Sequence, residues 1–569
     1  MKNFLTKIEN NKIKIFGVIA IVLIILFAIS LSPKRLQNDT FYTVTIGKLI
    51  SENGIDYQDH FSWHEGLPYT YPHWLYDLGM YFIFNQGGWD AIYVSTCILT
   101  VILGICIYKV NEKLTKNKIG AFAITIAVLY LMKSYIAARA QLVTFILFIL
   151  LLYNIEKFLE TKKSRYALEL FVIHVLIANL HVAVWPFTFV LYLPYIAEYL
   201  IAVLSDVVLY KKVQILFLKL KIRILKKQLN KIKVQDKIEE TNIKIQNLND
   251  KLELTKQKAL RIKEKREKEE PYKIIMKRNN NTIWLIIVML IATLTGFLTP
   301  LGKTPFTYTY LTMIGNTMKN INEHLPLTLI NNIPMLCTIT VVLATLTFSK
   351  AKIRLSDLFM LGGLTYLMFS TRRQQSMFVL IGSVAFTRVV TDLIKTTFDV
   401  NAEEITKKIF NKFTAFVIII GVIYISINGF KDRKDEKYIS ESTYPVKASE
   451  WILSNLDVDN IRLFNEYNYG SYLLYKGIPV FVDSRADLYA PEFNTPTGDK
   501  KDGQDIFSDF INSSNIGTYY GDIFKKYDIT HVIVYKNSKI SMLIRKADSE
   551  KYKEIYSDDY FAIYKVLDY

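Results

Sequence analysis

Residues 13–32, IKIFGVIAIVLIILFAISLS, are apolar apart from Lys14 and two serines, and the stretch Arg35–Gly66 that follows, RLQNDTFYTVTIGKLISENGIDYQDHFSWHEG, carries Asp39, Asp56, Asp59, His60 and His64. About 20 mainly apolar residues suffice for a helix to cross a bilayer. The spacing therefore predicts a first membrane helix over 13–31. It follows Lys2, Lys7, Lys12 and Lys14, but it is longer than a secretory h-region and ends in no small-residue cleavage pattern, so an uncleaved helix is expected. The question is why acidic residues and histidines gather just beyond its end.

Segregation of residue types extends the reading outward. The chain has 569 residues, 51% hydrophobic and 21% charged, with a positive mean hydropathy. Apolar and charged residues are therefore sorted along the chain, as in a polytopic α-helical membrane protein with soluble parts. Further spans are expected near 89–108, 119–133, 140–157, 167–181, 185–204, 282–298, 328–348, 355–370, 374–391 and 412–428, about eleven crossings with the first. Lys-rich connections fall on one side, which predicts a cytoplasmic N-terminus and an outer face for loop 32–88, loop 299–327 and the C-terminal part. Segment 73–86, HWLYDLGMYFIFNQ, is too short to span and suits a helix lying at the interface.

The expected division is 1–208, a first membrane part with its outer loop 32–88; 209–280, an insert; 281–429, a second membrane part; and 430–569, an outer α/β domain. The net charge of +18 would raise nucleic acid as a partner in a soluble protein, but residues 209–278 hold 22 Lys or Arg against 9 Asp or Glu, so most of the excess is one insert and no nucleic acid is expected. The insert lacks Gly and Pro between 218 and 270 and repeats apolar residues at near-heptad spacing, Leu218, Ile222, Leu225, Leu229 and Ile232, then Ile238, Ile245, Leu248 and Leu252. That predicts a coiled-coil hairpin turning near EETN, 239–242. It serves either as a solvated spacer or as an arm for a cytoplasmic protein partner or anionic lipid. After residue 430 the runs IRLFN, IPVFVDS, ITHVIVY, YKEIYSD and YFAIYKV read as strands, with a turn at Asp558–Asp559. Helices are expected around 446–455, 504–513 and 538–547.

Candidate chemistry concentrates at the outer ends of spans. Asp39 lies just past a rigid helix at the edge of a low-dielectric zone, where a carboxylate can act as a general base. NDT is equally good capping chemistry for a helix over FYTVTIGKLISENG. Arg139, Arg372 and Arg373 sit where a guanidinium either grips phosphate or snorkels. His181, in ANLHVAVWP, faces the same region or is a hydrogen-bonded structural residue. Glu323 and His324, in loop 299–327, can serve acceptor or metal binding. His60, His64 and His73 match no recognised metal spacing, so a divalent ion, Mg or Mn, stays open as a cofactor. No CxxC, HExxH or Gly-rich phosphate loop occurs, and Cys97, Cys106 and Cys337 lie in apolar segments.

The order of several loose motifs resembles the GT-C superfamily of membrane glycosyltransferases. These are NDTFYTVTIGKLISENGIDYQDHFSWHEG with the following Trp74, ARAQLVTFILFILLLY (138–153), IANLHVAVWPF (177–187), TPLG (299–302), NEHLP (322–326), STRRQQSMFVL (370–380) and FNEYNYGSYLLYKGIPVFVDSRADLY (464–489). Only the insert lacks a counterpart. The resemblance implies transfer of a sugar from a polyprenyl-phosphate donor, entering from membrane lipid, to a cell-envelope glycan, lipid or protein acceptor. It implies Asp39 as general base, Asp59 as the second acidic position, and Arg139, His181, Arg372 and Arg373 toward the donor phosphate. His73 stands where relatives tend to carry Glu. Two other classes remain, a transporter or flippase of a lipid-linked saccharide and a non-catalytic scaffold.

Overall fold

The computed structural model describes residues 12–230, 235–268, 273–315, 317–494 and 503–569. Helices α1 (Lys12–Leu31), α2 (Asn38–Asn53), α3 (Trp74–Thr115), α4 (Lys118–Leu131), α5 (Ala140–Thr161) and α6 (Ser164–Leu180) come first. Helices α7 (Val207–Leu229) and α8 (Gln235–Lys268) form the insert, and α9 (Leu355–Ser370) and α10 (Gln375–Phe398) follow it. Among the described residues, six helical stretches are long and apolar enough to cross a membrane: Lys12–Leu31, Trp74–Thr115, Ala140–Thr161, Val182–Leu204, Arg372–Phe398 and Phe413–Lys431.

The expected eleven crossings are therefore not all of spanning length. Lys118–Leu131, Asn281–Phe297, Ile333–Phe348 and Leu355–Ser370 are apolar but shorter, and 16 residues at a 1.5 Å rise reach only about 24 Å. The span expected from 328 shows why. Its helix starts at Ile333, because the Asn332 side chain accepts from the Met335 amide and Pro334 fits only a first turn. The interfacial segment expected over 73–86 is separated within α3, where Gly87 and Gly88 leave helical geometry and Gly88 takes φ 60°. The bundle core packs Phe16, Ile24 and Phe27 of α1 against Leu103 and Ile107 of α3, Leu129 of α4 and Phe145 of α5.

Loop 32–88 and the C-terminal part share a second core, built on Phe41, Tyr71, Tyr469, Tyr472, Val480 and Phe481. The first sheet is a parallel pair, β1 (Ile274–Ile275) with β2 (Ile353–Arg354). The second contains β3 (Leu463–Phe464), β4 (His531–Tyr535), β5 (Tyr552–Ser557) and β6 (Phe561–Val566) in the order β3-β4-β6-β5. The Asp558 carboxylate closes the β5–β6 turn by accepting the Tyr560 and Phe561 amides, both at 2.8 Å.

IPVFVDS, expected as a strand, makes no ladder in this sheet. Its backbone is satisfied elsewhere: Val480 donates to Phe61 O at 3.1 Å, Phe481 N reaches Asn465 Oδ1 at 2.8 Å, and Val482 O accepts from Asn465 Nδ2 at 2.7 Å. Two glycines permit this packing. A Cβ on Gly470 would stand 2.0 Å from Val482 O, and one on Gly47 would stand 2.1 Å from Asp77 O.

In the insert, α7 and α8 pair through Ile222, Ile245 and Leu252. EETN, expected at the reversal, lies inside α8. The reversal therefore precedes Gln235; the apolar register that aligns Ile222 with Ile245 and Leu252 decides it, since no Gly or Pro marks a turn.

Candidate functional site

Helix α2 begins at Asn38, with Gln37 in the N-cap position and no side-chain cap. Asn38 is turned away and donates to Tyr467 O at 2.9 Å. Asp39, in the first helical turn, is thereby free of capping. Its carboxylate pairs with the guanidinium of Arg139, the residue that precedes α5, and their side chains are 18% and 27% exposed. Arg139 Nη1 also lies 3.3 Å from Glu323 Oε1. Burial alone would lower the Arg139 pKa, but Asp39 and Glu323 raise it. Burial likewise pushes Glu323 up, and Arg139 and Arg373 outweigh it and hold the carboxyl below its usual value.

Beside this triplet the imidazoles of His73 and His181 meet at a tilt, with ring centroids 4.8 Å apart. His181 Nδ1 is 2.9 Å from the Thr144 hydroxyl, and His73 Nδ1 is 3.5 Å from the Tyr42 hydroxyl. Burial, then Arg373 and Arg139, lower His73 to about 3. Burial and its neighbours His73, Arg373 and Arg139 also lower His181. At neutral pH both rings are uncharged, each with one donor and one acceptor nitrogen.

Beside His181 lies a partly open cleft of about 560 Å³, counting the open solvent at its mouth. Its walls are mainly apolar, with Phe145, Phe148, Val184, Phe187, Leu364 and Leu367 among them, and Thr144, His181 and Arg373 supply polar groups. Arg372 and Arg373, adjacent in sequence, part company in the short helical turn at 372–374. Arg372 is spent on the loop, donating to Pro326 O and Asn322 Oδ1 at 3.3 Å each. Arg373 lines the cleft, and its guanidinium has no hydrogen bond or ion pair among the described residues. It acts at longer range on His73, His181, Glu323 and His324. His324 is held neutral, lowered to about 4 by burial and then by Arg373.

Asp59 has a different setting. It is fully buried, 2.6 Å from Arg485 Nη1, and accepts from the Ser62 amide at 3.0 Å. Arg485 is closed on its other side by Asp483 at 2.7 Å. Burial pushes Asp59 up, and Arg485 and Ser62 bring it below its usual value. This clasp ties the first loop to the C-terminal part and leaves Asp59 no open side. His64 is bound to Phe481 O at 2.9 Å, and His60 pairs with Asp56 at 2.5 Å. The histidines His60, His64 and His73 are thus engaged separately, and no group of three or more His, Cys, Asp or Glu able to hold a metal occurs among the described residues.

One acid escaped the sequence reading. Asp77 is fully buried, with the Thr43 hydroxyl beside its carboxyl. The only signal was one Asp in the apolar run WLYDLGMYF. Asp487 accepts from the Tyr308 hydroxyl. Burial raises its pKa, with Tyr308 and Arg373 opposing. No family model matches the chain, and no curated protein matches it.

Proposed function

We propose that the protein is a membrane glycosyltransferase that moves a sugar from a polyprenyl-phosphate donor to an acceptor hydroxyl of the cell envelope at the outer face. The observation that carries this reading is the cleft. A mainly apolar cleft carries the unpaired guanidinium of Arg373 and the neutral imidazole of His181, and His181 in turn touches His73; an apolar wall with one spare cation suits a lipid tail ending in phosphate. Arg373 takes the phosphate charge, with the His181 ring and Thr144 hydroxyl as neutral partners. Asp39, oriented by Arg139, accepts the acceptor's proton as its oxygen attacks the anomeric carbon. The bond to phosphate breaks on the opposite side, and polyprenyl phosphate leaves with the electron pair beside Arg373, inverting the centre. Glu323 sets the second side of Arg139.

The transporter reading would be favoured by ionisable groups left open inside the bundle. One charged cluster between the helices is closed: Arg354 and Arg388 each bridge Glu156 and Asp357, with distances of 2.7–3.0 Å. Two positive and two negative charges cancel, and none of the four lines the cleft. The test is mass spectrometry of envelope glycans and lipid-linked sugars from cells with and without the gene. Loss of one glycan sugar together with a rise in one polyprenyl-phosphate sugar supports transfer; unchanged glycans and donors contradict it.

A further inference from the structure

Helix α7 carries two apolar stripes, both repeating at alternate steps of three and four residues. Ile215, Leu218, Ile222, Leu225 and Leu229 belong to the seam packed against α8. Tyr210, Val213, Phe217, Leu220 and Ile224 form the other, and with Leu216 beside them they are 50% to 70% exposed. One seam suffices for a two-helix hairpin. The second is a row of large apolar side chains about 21 Å long with none of the described residues over it.

Its charge identifies what covers it. Helix α7 has seven Lys or Arg and no Asp or Glu, whereas α8 carries both signs. Two copies of α7 joined along the open stripe would set Lys221 and Arg223 against like charges with no acid on either helix to offset them. An anionic lipid surface meets both needs, taking the apolar stripe at the acyl boundary and the cations at the headgroups. The position agrees. The apolar stretch Val182–Leu204 ends just before α7 starts at Val207, and Arg278 meets Asp206 at 3.4 Å, so both roots of the arm are fixed at the bundle.

We propose that α7 lies along an anionic lipid surface, its Tyr210–Ile224 stripe in the acyl boundary and its Lys and Arg residues on the headgroups. Each cation contributes about fivefold to the binding equilibrium. The test uses full-length protein at one copy per lipid nanodisc, in phosphatidylcholine alone or with about a third phosphatidylglycerol, and follows chymotryptic cleavage after Tyr210 and Phe217. Cleavage is expected to be at least tenfold slower in the anionic discs at about 0.1 M salt, and to recover in about 1 M salt. The triple variant Lys219→Gln, Lys221→Gln, Arg223→Gln is expected to lose that protection while matching the parent in neutral discs. Leu216→Ser with Leu220→Ser, both on the exposed stripe, is expected to do the same. Equal cleavage in the two lipids overturns the proposal. So does protection that needs two copies per disc and persists in phosphatidylcholine, which would make the occupant a second chain.

Discussion

Two arginine–carboxylate groups each draw a carboxylate from loop 32–88, and they differ in completeness. Arg485 is fully buried between Asp59 and Asp483, at 2.6 and 2.7 Å, and every member is closed off. Arg139, between Asp39 and Glu323, keeps part of each side chain exposed, and the unpaired Arg373, which lines the cleft, acts on Glu323 as well. Similar residue types thus give a clasp in one place and an opening in the other. A buried ion pair with all partners present holds chain segments together. A paired carboxylate beside a spare cation and a cleft has capacity left for a ligand.

Substitutions can break or sharpen that contrast. The largest effect is expected for Asp39→Asn, which keeps shape but cannot accept a proton. Transfer by purified protein should fall by about 10²–10⁴-fold with folding unchanged, and turnover near the parent level would erase the distinction between the two groups. Arg485→Met should act the other way, leaving two buried carboxylates without their cation at a cost of about 3–5 kcal/mol. Thermal melting in detergent would register that loss as early release of the C-terminal part. Next comes the arginine pair: Arg373→Gln should weaken donor use by about 10–100-fold, as expected for a charge-assisted contact. Arg372→Gln should change it by less than about threefold, because that side chain only braces the loop.

The pH response carries a definite sign. His73 is lowered from its usual value to about 3, so between about pH 6.5 and 3 the unfolded chain binds a proton that the native site refuses. Stability from this group is full above pH 6.5 and declines as pH falls through that window. Melting curves of His73→Gln should be flatter there than those of the parent. The smallest effect is expected from removing residues 222–268 of the arm, which should leave transfer within about twofold in an assay of membrane vesicles.

The apolar helices, the separate helix ending at Gly87–Gly88 and the paired helices of the insert were legible because each rests on local composition and periodicity. The meeting of Asp39 with Arg139 and Glu323 was legible only as separate motifs, since nothing local states that they touch. Three features were hidden for physical reasons. Asp59 is claimed by Arg485, 426 residues away in sequence, and no local pattern reports such a pairing. Arg372 and Arg373 share a dipeptide, and one turn of backbone decides which faces the cleft. IPVFVDS reads as a strand, but its backbone partners are the Asn465 side chain and the first loop.

The central claim is that Asp39 takes a proton next to a donor that enters through lipid. It is tested most directly by mass spectrometry of polyprenyl-phosphate sugars and envelope glycans in cells whose only copy of the protein carries Asp39→Asn at parental abundance. Accumulation of one lipid-linked sugar and loss of one glycan residue, matching deletion of the gene, is the predicted result. Full restoration of the parental glycans by that variant would contradict it.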